Sequence, residues 1–174
     1  MESAKVEWEG RLLRAGRETY RFGDGSTDTY DKVWHVGAVT IVPYDEQYVW
    51  LVRQPRPAAG LQSLLEIPAG KRDREDEPLL DLAKRELVEE IGKEAAEWRA
   101  IKSLFPTPGF CDENITLFAA TGLSDAPGGV APDEDERIEV VRWPLANIGA
   151  AIDETSDAKT LIGLLWLMRE LGLR

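Results

Sequence analysis

Three carboxylates fall within five residues in Arg85-Glu86-Leu87-Val88-Glu89-Glu90-Ile91-Gly92. Glu86, Glu89 and Glu90 stand at i, i+3 and i+4, a spacing that puts them on one face of a helix. Like charges held that closely repel, so a helix that carries them needs a counter-charge. Arg85 can pair with Glu89, four residues on, which leaves two acids to account for. A hard divalent cation is one answer. Mg²⁺ takes oxygen ligands, keeps several waters, and binds one or two carboxylates together with substrate phosphates. A solvated acidic face is the other answer, and spacing alone weighs the two equally.

The helix that must position these acids is readable. Pro78 suits a first helical turn, where its missing N–H costs nothing, and Gly92 suits a helix end. Between them Leu80, Ala83, Leu87 and Ile91 recur at three- and four-residue spacing. This predicts a core-facing stripe with the acids beside it.

Other segments could meet a phosphate or a base. Arg53-Gln54-Pro55-Arg56 stands out in an acidic chain. It reads either as a solvated strand end or as a cationic clamp on phosphate, for which the planar fork of Arg is suited. Tyr30 and Trp34 could stack on a base or pack in the interior. In Pro106-Thr107-Pro108-Gly109-Phe110-Cys111-Asp112-Glu113, Gly109 would allow a close backbone approach to a ligand. Asp112 and Glu113 could accept from hydroxyls. Nothing near Cys111 suggests a nucleophile, so it reads as inert. His35, the only histidine, reads as structural.

The run from Gly70 to Lys93, GKRDREDEPLLDLAKRELVEEIGK, resembles the signature of Nudix hydrolases: Gly, five residues, Glu, seven residues, then Arg-Glu-aliphatic-X-Glu-Glu-X-Gly-aliphatic. Glu77 to Gly92 match in register. Six residues separate Gly70 from Glu77, which reads as a one-residue insertion before the helix, and Lys93 stands where an aliphatic residue is usual. Leu64-Leu65-Glu66-Ile67-Pro68-Ala69-Gly70 and Pro-Gly-Phe-X-Asp-Glu at 108–113 are similar to segments of the ADP-ribose pyrophosphatase branch.

The resemblance covers roughly residues 33–170 and carries expectations. The fold would be α/β, a Nudix α/β/α sandwich with a mixed sheet plus a small N-terminal antiparallel sheet. Residues 1–32 would be that sheet, a dimerisation element, and 33–174 the hydrolase domain. Metal ligands would be Glu86, Glu89, Glu90 and the Ala69 carbonyl, holding Mg²⁺, with Mn²⁺ as the alternative. Arg85 would orient the acids. Arg53 and Arg56 would hold phosphates. Glu66 would contact substrate or a second subunit, and Gly109, Phe110, Asp112, Glu113 and Trp34 would surround the nucleoside and ribose. A glutamate on the Pro/Gly/acid-rich loop at 125–136, Glu134 or Glu136, would be the general base or an extra ligand. The reaction would be hydrolysis of ADP-ribose to AMP and ribose 5-phosphate. The rivals are another nucleoside diphosphate sugar, such as ADP-glucose or GDP-mannose, and a catalytically silent nucleotide-binding domain.

Composition narrows the field. The 174 residues suffice for a real core. A formal net charge of −11 argues against a nucleic-acid or anionic-membrane partner. The first residues have no apolar run of the signal-peptide kind, and one cysteine excludes an internal disulfide. These fit a cytoplasmic protein, and the resemblance implies a homodimeric enzyme acting on a small molecule.

The other elements follow from alternation and punctuation. Short strands are expected within 5–22, with a turn at 23–26. Residues 34–42 read as a single buried strand, and further strands as 47–54, 97–105, 114–120 and 137–143. A short helix should begin at 144. A last helix should run from a cap at Thr155 or Ser156 to Gly172, with Leu161, Leu164, Leu165, Met168 and Leu171 in the core.

Overall fold

A computed structural model describes residues 1–10, 13–74, 76–129 and 137–173. The strands are β1 (Ser3–Glu9), β2 (Leu13–Arg21), β3 (Thr27–His35), β4 (Ala38–Pro43), β5 (Tyr48–Arg56), β6 (Leu61–Glu66), β7 (Ala69–Lys71), β8 (Lys93–Leu104), β9 (Ile115–Asp125) and β10 (Glu139–Pro144). The helices are α1 (Leu79–Ile91), α2 (Ile148–Glu154) and α3 (Ala158–Leu171).

Apolar runs place β4 and β5 at the centre. Val39, Ile41 and Val42 on β4, and Val49, Leu51 and Val52 on β5, are fully buried. Strand side chains alternate between faces, so the two strands feed two cores. Val39, Ile41, Trp50 and Val52 pack with Leu82, Ala83, Leu87 and Ile91 of α1. Val42, Val49 and Leu51 pack with Leu65, Ile67, Ile148, Ala151, Leu164 and Leu167, the side of α2 and α3. Helices therefore cover both faces of the strand layer, an α/β/α sandwich. β4 pairs antiparallel with β7 and parallel with β9, giving a mixed sheet of order β7-β4-β9-β8. β10-β5-β6 form an antiparallel sheet, and β1-β2-β3 form a third. No described helix is long and apolar enough to cross a membrane.

The run 34–42 is two strands rather than one. It breaks at Gly37, whose φ of +85° lies in the left-handed region that favours glycine. The first part, β3, belongs to the N-terminal sheet, so that sheet runs past the expected boundary at 32/33.

Helix α1 ends at Gly92, with φ +65°, as its position in the sequence suggests. Its buried face differs from the expected stripe. Leu82 takes the place of Leu80, which is exposed, and Glu86 and Glu90 lie on the buried face rather than beside it. Helix α3 is capped by Asp157, not Thr155 or Ser156. The Thr160 N–H donates to Asp157 Oδ2 at 2.9 Å, while Thr155 ends α2 and donates its hydroxyl to the Leu65 carbonyl. Leu165 and Leu171 face outward. Thr160, Gly163, Leu164 and Leu167 fill the inner face, with Gly163 close against Ile67 and Val42.

Candidate active site

A cavity of about 400 Å³ opens where the β4 and β7 ends meet both helix layers. Arg85, Glu86 and Glu89 line it from α1, Ala69 and Gly70 from β7, Arg56 from β5, and Asp157, Ala158 and Lys159 from the start of α3.

The acidic wall is built by close approach. A Cβ on Gly70 would lie 1.9 Å from Glu86 Cδ, so only glycine lets the strand pass over that carboxylate. Beneath it Glu90, 2% exposed, accepts the Ala69 N–H at 3.0 Å, which ties β7 to α1. Arg85 gathers the remaining acids. It donates to Glu77 at 3.1 and 3.2 Å, to Glu89 at 2.7 Å and to Asp73 at 3.2 Å, and its Nη1 lies 3.0 Å from Glu86 Oε1. The bonds to Glu77 above all, and the charges of Glu86 and Glu89, push the Arg85 guanidinium still further up. The same contact holds the Glu77 carboxyl below its usual range.

This wall fits a hard divalent cation by chemistry. Four carboxylates, of Asp73, Glu77, Glu86 and Glu89, surround one guanidinium, Glu90 lies on the same helix against β7, and every donor is oxygen. Of the ligands expected from the sequence, Ala69, Glu86 and Glu89 line the cavity together and Glu90 bonds to Ala69 beside it. Among the described residues no three His, Cys, Asp or Glu side chains are grouped to hold a metal ion. Glu86 and Glu89 turn to Arg85, and Glu90 turns to the Ala69 N–H, because those are the cation and the donor within reach.

Across the cavity, Arg56 is held by Glu66. Its Nε donates to Oε1 at 2.6 Å and its Nη2 to Oε2 at 2.9 Å, and this pairing raises the Arg56 pKa. Glu66 is fully buried and does not line the cavity, so it stands behind Arg56 rather than at the surface. Arg53 points elsewhere, to an ion pair with Glu154. Glu113 lines the cavity, 3.7 Å from His35 Nδ1, and that nitrogen accepts the Gly37 N–H at 3.0 Å. His35 thus lines the cavity as well as bracing the turn.

Asp112 is committed to the fold. Its Oδ1 accepts the His35 N–H at 2.8 Å, and its Oδ2 is 3.4 Å from Lys32. Gly109, Phe110 and Asp112 line a second cavity of about 490 Å³ with Tyr20, Phe22 and Tyr30 of the N-terminal sheet. Trp34 sits in a separate recess with Arg14 and Lys32 over its ring. Glu134 and Glu136 lie outside the described residues. Sequence reasoning missed Asp73, Asp157 and Lys159. The cap residue Asp157 was a usable signal; Lys159 meets Glu66 across 93 residues, which no local pattern carries.

The family model for the NUDIX domain matches residues 34–162. The chain belongs to the NUDIX family. An ADP-ribose pyrophosphatase of Mycobacterium tuberculosis is 35% identical over 83% of this chain and 70% of its own length. The methanol dehydrogenase activator of Bacillus methanolicus is 32% identical over 96% of this chain and 91% of its own. A GDP-mannose pyrophosphatase of Citrobacter koseri is 34% identical over 91% and 80%. A solved structure described as an ADP compounds hydrolase superposes with a TM-score of 0.82 over 98% of this chain and 92% of its own, at 23% identity, which establishes the fold. NUDIX hydrolases generally depend on a divalent metal, and the oxygen-rich α1 wall of this one suits such an ion.

Proposed function

We propose that this NUDIX hydrolase splits the diphosphate of a nucleoside diphosphate sugar, with ADP-ribose as substrate and AMP and ribose 5-phosphate as products. One observation carries the reading: a single cavity brings Glu86, Glu89 and Arg85 on one wall to face Arg56 on the other. An acidic wall for cations and a guanidinium for phosphate suit a charged diphosphate and little else. The relatives named ADP-ribose pyrophosphatase support that choice of sugar.

Glu86, Glu89, Glu90 and the Ala69 carbonyl would hold Mg²⁺, or Mn²⁺ in its place. That ion, when bound, neutralises the diphosphate and makes a water more acidic. The protein's own groups do the rest. Arg85 holds Glu86 and Glu89 in orientation. Arg56 offers N–H donors to a non-bridging phosphate oxygen. Water attacks one phosphorus, the bond to the bridging oxygen breaks, and the departing phosphate carries that oxygen away. Glu134 or Glu136 takes the proton of the attacking water. Glu113, at the cavity edge, accepts from a ribose hydroxyl, while Asp112 holds its loop to β3.

The test is product release from ADP-ribose, ADP-glucose, GDP-mannose, NADH and dinucleoside polyphosphates, with Mg²⁺ and with chelator. Chelator-sensitive AMP release, fastest from ADP-ribose, is expected. Preference for GDP-mannose would fit the relatives of that name and discard the ADP-ribose assignment. Binding without turnover of any compound would make the domain a silent binder. The enzyme works as a cytoplasmic homodimer in this reading, supported by a three-stranded sheet too thin to bury a core alone. Light scattering should then give about twice 19.4 kDa.

A further inference from the structure

The cavity has a second charged wall that the α1 acids do not explain. Glu66, at the end of β6, is fully buried yet binds two cations: Arg56 through both oxygens, and Lys159 Nζ through Oε2. A buried carboxylate so paired adds little to stability that an apolar residue of the same volume would not. What it does achieve is placement. Arg56 comes from β5 and Lys159 from the first turn of α3, and one anion draws both heads to the same wall.

Lys159 also donates to Asp157 at 2.9 Å. Among the described residues, that leaves one of its three N–H donors and three of the five on Arg56 without an acceptor. Arg85, the other guanidinium of the cavity, is already shared among four carboxylates. Arg56 and Lys159 are therefore cations with donors to spare, opposite Glu86 and Glu89.

We propose that Lys159 is a phosphate-binding residue and that Glu66 is a positioning residue, holding Lys159 and Arg56 as one clamp for the two phosphates of a diphosphate. This rests on the nucleoside diphosphate sugar reading and names the group that takes the second phosphate. Arg56 supplies a planar fork for one phosphate, and Lys159 a point charge for its neighbour.

The test reads binding to the full chain, by calorimetry in chelator, of ADP and of adenosine. Lys159→Gln should weaken ADP about tenfold and leave adenosine within twofold. Lys159→Arg should bring ADP back to within threefold of wild type. Glu66→Gln should weaken ADP at least tenfold, and in that background Lys159→Gln should add less than threefold. Wild-type ADP affinity in Lys159→Gln would overturn the proposal. So would equal loss of ADP and adenosine with a lowered Tm, which marks a purely structural lysine, or a wild type that binds ADP no tighter than adenosine. The nucleoside diphosphate sugar reading fails separately, by absent turnover on the substrate panel, because ADP binding requires no turnover.

Discussion

Gly70 and Glu86 make the acidic wall a question of single atoms. A methyl group at Gly70 would occupy the space of the Glu86 carboxylate. Gly70→Ala should push that carboxylate aside and lower kcat/KM by about 100-fold, the cost of a misplacement near 1 Å. Steady-state kinetics check this, and wild-type rates would refute the close-approach argument. Glu90→Gln should abolish Mg²⁺-dependent turnover; intact activity would remove Glu90 from the metal site. Glu77 gives a pH signature. Its carboxyl is held below its usual 4.5 by Arg85, so the stability it contributes is complete above that value. The contribution disappears as pH falls through the depressed pKa. The Tm of Glu77→Gln should lie below wild type at pH 7, and the gap should close below about pH 4.5 in thermal scans. These acids were legible in the sequence because three of them repeat at helical spacing. Lys159 was not, because its partner stands 93 residues away.

At the scale of elements, the faces of α1 and α3 carry the lesson. An apolar stripe on α1 leaves Glu86 and Glu90 beside the core-facing side, open to a cation or to solvent. They are buried because β7 crosses over that end of the helix, its Ala69 N–H donating to Glu90, while Arg85 of α1 itself supplies the cation beside Glu86. An apolar count treats every carboxylate as exposed, and it fails where a helix lines a site. On α3 nearly every position that could be inside is apolar, so periodicity puts Leu165 in the core and passes over Leu167. The structure buries Leu167 completely and leaves Leu165 half exposed. Leu167→Ala should cost about 2–5 kcal/mol, and Leu165→Ala about 0.5 kcal/mol or less. Urea unfolding of the two variants measures the difference, and equal losses would mean the helix is rotated.

On the scale of the whole molecule, the sandwich was legible from the family resemblance, and the N-terminal sheet from its glycine punctuation. Where the two join was not. Residues 34–42 are mostly apolar, so Gly37 alone marked the break, and a lone glycine inside a strand pattern also reads as a bulge. The junction is tight: the Val33 N–H donates to Phe110 O at 2.7 Å, and Asp112 reaches back to His35.

The parallel pairing of β4 with β9 sets a timetable for folding. Ala38 meets Ile115, so the central strand waits for a partner 77 residues further along the chain. Closing so long a loop before any contact compensates for it slows the search, and refolding should take milliseconds to seconds rather than microseconds. A nascent chain ending at residue 114 carries the apolar strand β4 with one edge uncovered. Until β9 emerges from the ribosome, that edge is the surface a chaperone would have to shield.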